Sequence, residues 1–215
     1  MAVNRGRHTN MNKSRLEAFA DAIFGFAATL LILGIALPEF KGTAPSDADI
    51  AHALLRLWPQ LLTYLMSFAV IGIMWHNHHA LFRLIVKVDR ITVFLNLLLL
   101  MVTAFIPFAT SALGSYPDMR STTFLYGLTL TSAATAYNLM LLHLVRSRAF
   151  AAHVNEATIR GTVHAYRVGW MTYAAAMLAS LIAPLLGFAL YLLVAAYYLI
   201  PHGADTDISG TPGEN

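Results

Sequence analysis

Asp21 is the first residue of this chain placed to do chemistry. It lies in the stretch 16–37, where the only other charged residue is Glu17. Inside a membrane such a side chain costs at least about 2.5 kcal/mol, so it is retained for a reason. It reads first as a clamp to another helix and second as a group that handles ions or protons. Arg15 precedes it by six residues, which is about 120° around a helix, so the two do not share a face and need partners elsewhere. A second concentration of polar chemistry is His76, His78 and His79, between Trp75 and Phe82. His76 and His79 could meet at i, i+3 spacing, but zinc takes three or four ligands. There is no cysteine, HExxH pattern or clustered carboxylate set to complete a site. No metal and no other cofactor is expected. Trp75, His78 or His79, and Phe82 instead suit a packed hydrogen-bonding cluster facing Asp21. There is no GxSxG, paired-aspartate or Gly-rich phosphate motif, so no enzyme reading stands, and the TVGYG loop of ordinary potassium channels is also missing.

The elements that position these residues follow from how charge is spread. Only 12% of the 215 residues are charged and 58% are hydrophobic, about half the charge expected of a soluble domain. Arg56 and Arg83, Arg90 and Asp118, and Arg120 and Arg146 bound three charge-free tracts, each longer than the roughly 20 residues a membrane helix needs. Spans are expected at about 16–37, 58–82, 91–113 (interrupted by Pro107) and 122–145, with a short amphipathic helix in the loop 39–57. Ser14 offers the first span an N-cap, with Glu17 three residues later. The uncharged tract 168–204 would reach about 55 Å as one helix, too long to cross once, and Pro184 divides it into 168–183 and 184–200. The fold class is therefore all-α, a polytopic membrane protein with six spans over 15–201. Segment 1–14 is read as a polar cytoplasmic lead and 202–215 as a disordered cytoplasmic tail.

Basic residues set the orientation. Arg5, Arg7, Lys13, Arg15, Arg83, Lys87, Arg90, Arg146, Arg148, Arg160 and Arg167 fall on one side, against Lys41, Arg56 and Arg120 on the other. This bias places both termini in the cytoplasm and accounts for the net charge of +3 without nucleic acid. The expected location is the cell membrane, with the lipid bilayer as partner.

One face of the first span has no charge along its whole length. Phe19, Phe26, Leu30, Leu33 and Leu37 follow spacings of 7, 4, 3 and 4, a single helical stripe. Asp21 sits about 140° from Phe26. Thr29 adds the nearest hydroxyl, and Gly25 and Ala28 form a small-residue face that admits a close helix. Such a stripe can face lipid, core or pore. The residues alone support a six-helix channel or transporter.

Arg15, Phe19, Asp21 and Ala22 resemble the RxxxFSDA signature that opens the first helix of the transmembrane protein 175 family, lysosomal potassium channels and their prokaryotic relatives. Trp75, His78 and Phe82 are similar to the W-x-x-H pattern ending the family's second helix, and Asp89, Asn96 and the run from Phe105 through Pro107 to Thr110 fit its third. The resemblance implies a potassium-permeable cation channel whose pore is lined by the first helix of each subunit. With a single repeat, it implies a homotetramer passing monovalent cations. Carried over, the constriction falls at Phe26, with Leu30 and Leu33 further out and Thr29 alongside. The structural polar network is expected to comprise Arg15, Phe19, Asp21, Trp75, His78 and Asn96. Two departures stand out: Ala20 replaces the usual serine, and Phe26 replaces an aliphatic residue. The rival expectation is a proton-coupled or proton-conducting secondary transporter, in which Asp21 and the histidines titrate.

Overall fold

The structure is a computed structural model and describes residues 13–40 and 44–199. The expectations for the lead up to residue 12, Lys41 and the tail from 202 lie outside the described residues. Seven α-helices are present among the described residues: α1 (Lys13–Leu30), α2 (Asp47–Arg56), α3 (Trp58–Leu84), α4 (Arg90–Ser115), α5 (Arg120–Arg146), α6 (Glu156–Ile182) and α7 (Pro184–Leu199). Among the described residues, four stretches are both long and apolar enough to cross a bilayer, namely Lys13–Gly34, Trp58–Leu84, Arg90–Ser115 and Arg120–Arg146.

Several boundaries differ from the sequence expectation, each for a local reason. The first helix tightens into a 3-10 turn over Leu31–Gly34 and is extended by Ile35, short of the expected 37. Gly34 lies close to α4, where an added Cβ would come within 3.0 Å of the Ser111 Cβ. Ser14 lies within α1 and is not its N-cap. The cap signal is real at α2 instead, where Ser46 and Asp49 form a reciprocal capping box. Helix α4 runs unbroken through Pro107. Proline removes one backbone bond there, and packing on both sides keeps the helix continuous. Helix α6 begins a dozen residues before the expected 168. Asn155 caps it by accepting from the Thr158 amide at 2.8 Å, and an exposed Arg160–Glu156 pair at 3.0 Å spans its first turns. Charge disqualified those turns as membrane span but not as helix. The break at Pro184 occurs where expected, through an extended Ala183. Gly187 permits the resulting hairpin, since a Cβ there would meet the Ser180 Cβ at 2.5 Å and Cα at 2.9 Å.

The core runs along the centre of the bundle, with Tyr126, Tyr191, Phe24, Phe82 and Ile71 fully buried. In lipid this packing stabilises through dispersion and interhelical hydrogen bonds rather than through release of water. Thr110 donates to the Ser67 hydroxyl at 2.8 Å, and Ser67 shares a 3.0 Å hydrogen bond with the Tyr126 hydroxyl, linking α4, α3 and α5. At the end of the bundle where α3 meets α4, two connections lie side by side. Val86 donates to the Ala149 carbonyl and Ala151 to the Leu84 carbonyl, both at 2.9 Å. Asp89 caps α4 through Thr92 and bonds His143 of α5 at 2.8 Å. Partial desolvation opposes ionisation of Asp89, but the bonds from the Thr92 amide and hydroxyl and from His143 outweigh it and hold the carboxyl down at about 2. Lys13 donates to the Ile85 carbonyl at 2.9 Å, which places the start of α1 at this same end.

Candidate functional site

Helix α1 packs against α3 and α4 and against no other described helix, so it lies at one edge of the bundle. The buried side of α1 is Leu16, Ala20, Phe24, Ala27 and Leu31, spaced 4, 4, 3 and 4, as a helix seam requires. Ala20, the residue that departs from the signature, belongs to this seam and is fully buried. Rotated away from the seam are Phe19, Phe26 and Leu33, all exposed, with Phe26 at 66% and Leu33 at 74%. Leu30 is half-buried and Thr29 exposed. The Thr29 hydroxyl donates back to the Phe26 carbonyl at 2.9 Å, which points its lone pairs outward. Gly25 is exposed, and a Cβ there would meet nothing within 4 Å. An uncharged stripe from Phe19 to Leu33 therefore runs along the free side of α1, with Arg15 before it and exposed Asp21 to one side. Exposed apolar area on this scale marks a contact with lipid, another chain or a pore.

Beside that stripe stands a polar brace to α3 and α4. Trp75 of α3 donates its indole N–H to Asp21 Oδ1 at 2.8 Å. One turn on, His78 is buried, with its Nε2 2.8 Å from Asn96 Oδ1 on α4. Because a carbonyl oxygen only accepts, His78 donates from Nε2 in this arrangement. Its ring stacks on Phe82 at 4.2 Å and meets Phe24 of α1 at 5.5 Å, tilted. Asn96 Nδ2 is buried with no partner among the described residues. The structure thus joins Asp21 with Trp75, and His78 with Asn96, in adjacent layers between α1, α3 and α4.

It does not bring Arg15 into that group. Arg15 is exposed at the start of α1, and the described residues hold no ion pair for it. Phe19 also lies outside the brace, on the exposed side. Among the described residues no group of three or more His, Asp or Glu side chains could hold a metal ion. Sequence reasoning missed the Ser67–Thr110–Tyr126 chain. The only signal for it was the hydroxyl residues themselves, which recur widely in this chain and nominate no partner.

The sequence profile described as Endosomal/lysosomal potassium channel TMEM175 matches residues 15–107, the region that contains α1, the brace and most of α4. A potassium channel of Streptomyces collinus is 38% identical over 87% of this chain and 92% of its own length. A crystal structure of a lysosomal potassium-selective channel TMEM175 homolog from Chamaesiphon minutus superposes with a TM-score of 0.78 at 32% identity, covering 87% of this chain and 96% of that one. The endosomal/lysosomal proton channel TMEM175 of Homo sapiens is 36% identical over 51% of this chain, which spans 23% of that protein. The similarity extends along nearly the whole of both prokaryotic relatives and holds in sequence and in fold. This chain is a multi-pass membrane protein of the TMEM175 family, a family of channels and not of enzymes.

Proposed function

We propose that the chain is one subunit of a potassium-permeable cation channel that has no TVGYG filter and is gated at an apolar constriction on α1. The observation that carries this reading is the free side of α1: an edge helix with an uncharged stripe from Phe19 through Phe26 to Leu33, tied to α3 by Asp21 and Trp75 on its flank. A lone subunit exposes that face. A homotetramer turns four of them toward one axis, with Phe26 at the narrow point, Leu30 and Leu33 further along, and Thr29 the nearest hydroxyl. The full-length relatives named as potassium channels support potassium as the permeant ion. Closure occurs by dewetting among the apolar side chains. Six crossings, α6 and α7 supplying the last two, place the end holding Lys13, Arg83, Lys87, Arg90, Arg146 and Arg148 in the cytoplasm, as the basic bias directs.

Phe26→Asn in purified protein, reconstituted in liposomes, is expected to raise potassium flux and weaken discrimination against sodium. Unaltered flux in a variant that still assembles as a tetramer puts the gate elsewhere. A second reading, proton conduction or proton-coupled transport, draws on Asp21 within the apolar helix and on the animal relatives named proton channels. Bilayer recordings separate the two. Currents that reverse at the potassium equilibrium potential support the first, and saturable flux that follows the pH gradient supports the second.

A further inference from the structure

We propose that a cavity among α3, α5, α6 and α7 is a binding site for a neutral, single-ring amphiphile taken from the bilayer. The cavity has a volume of about 130 Å³ and receives no side chain from α1 or α4, so it is separate from the proposed permeation face. Its size is close to that of an engineered 150 Å³ apolar cavity that accepts benzene, and it is too small for a sterol or a whole phospholipid. Tyr137, Tyr166, Trp170 and Tyr173 line it, a set of aromatic side chains suited to packing against a ring. No carboxylate, ammonium, guanidinium or imidazole does, and a charged ligand entering such a site would lose its solvation with nothing in return.

Its polar groups divide into those already engaged and those left over. The Tyr137 hydroxyl donates to the Met74 carbonyl and Tyr166 to the Asn77 carbonyl. Asn138 Nδ2 donates to the Ala134 and Tyr166 carbonyls, and Trp170 to the Thr135 hydroxyl. The Asn77 amide, Asn138 Oδ1 and the Tyr173 and Tyr198 hydroxyls take no part in these bonds. They leave polar capacity in the lining for one hydroxyl or amine on an otherwise apolar ring. Trp170 and Ala165 are exposed, so the mouth opens at the surface of the bundle.

The site also acts on α3. Tyr137 and Tyr166 hold the carbonyls of Met74 and Asn77 from the cavity side, while Trp75 and His78, on the same turn, hold Asp21 and Asn96 from the other. A ligand that repacks the two tyrosines alters the support of α1. This consequence for flux rests on the pore reading above, whereas binding does not.

The test uses 4-bromophenol, neutral at pH 7 and a heavy-atom quencher of tryptophan fluorescence, with the full chain in lipid nanodiscs. Saturable quenching that disappears in Trp170→Phe is expected. Ala134→Leu, which fills the cavity, should weaken binding at least tenfold. Ala165→Leu at the exposed mouth should do the same with an unchanged melting temperature, covering the case in which Ala134→Leu fails to fold. Quenching that rises linearly without saturation, or that neither leucine variant changes, overturns the site. So does a lipid chain retained in the cavity that 4-bromophenol does not displace. Binding without any effect on potassium flux overturns the link to α3 alone.

Discussion

If the Asp21–Trp75 bond braces α1 against α3, the two residues must be energetically coupled. Their contact is a single charge-assisted hydrogen bond of 2.8 Å. A hydrogen bond to a charged group contributes about 1.5–3 kcal/mol. Trp75 is 45% exposed in the subunit, so the low end of that range, about 1.5–2 kcal/mol, applies, which is roughly ten- to thirtyfold in an unfolding equilibrium. A double-mutant cycle with Asp21→Ala and Trp75→Phe isolates the term. Each single change should destabilise, and the double variant should be less destabilised than the sum by that amount. Asp21→Asn keeps an acceptor oxygen but loses the charge, so it should retain about half of the coupling. Unfolding in mixed micelles with rising SDS provides the assay. A coupling energy within about 0.5 kcal/mol of zero, the scatter of independent sites, refutes the brace and leaves the indole–carboxylate contact as incidental.

Other outcomes follow from the same geometry. The Asp89 carboxyl is held at about 2, below its ordinary 3.8, so its contribution is fully present above about pH 4 and is lost as pH falls toward 2. Asp89→Asn should flatten that part of an acid stability profile, and a profile identical to the parent's contradicts stabilisation of the carboxylate by Thr92 and His143. Gly187→Ala drives a Cβ into Ser180 at 2.5 Å, an overpacking cost of about 1–3 kcal/mol, visible as a lower melting temperature of the purified protein. His78→Phe or Asn96→Leu alone leaves the other's polar group buried and unpaired, at about 1–3 kcal/mol each. The double variant should be no less stable than the worse single one, and simple additivity in denaturation curves contradicts the pairing.

How much of this was legible beforehand depends on the range of the interaction concerned. The division of 168–204 needed only Pro184, because proline lacks the N–H that would carry the helix onward. The long charge-free tracts likewise announce helices, since an unpaired backbone has no place in lipid. The signature from Arg15 to Ala22 points to the family from the sequence alone. Partnerships were another matter. Arg15 and Asp21 were expected in one network, yet Asp21 bonds Trp75 and Arg15 lies outside, because contact is settled by how α1 seats on α3. The start of α6 escaped for a related reason. Arg160 and Arg167 argue against a membrane span, but Asn155 and Glu156 still favour a helix there.

By itself, then, the sequence determined an all-α membrane protein, its long apolar segments, the break at Pro184 and the uncharged stripe on the first helix. These are consequences of chain-local physics: solvation of charge, helical periodicity and proline geometry. Only the tertiary structure decided which side of α1 is free. Phe24 and Phe26 are two residues apart and equally apolar, but one is buried and the other 66% exposed. Periodicity defines both faces of a helix and does not say which will be covered. That choice falls to α3 and α4, which close over Leu16, Ala20, Phe24, Ala27 and Leu31 and leave the opposite side of α1 open.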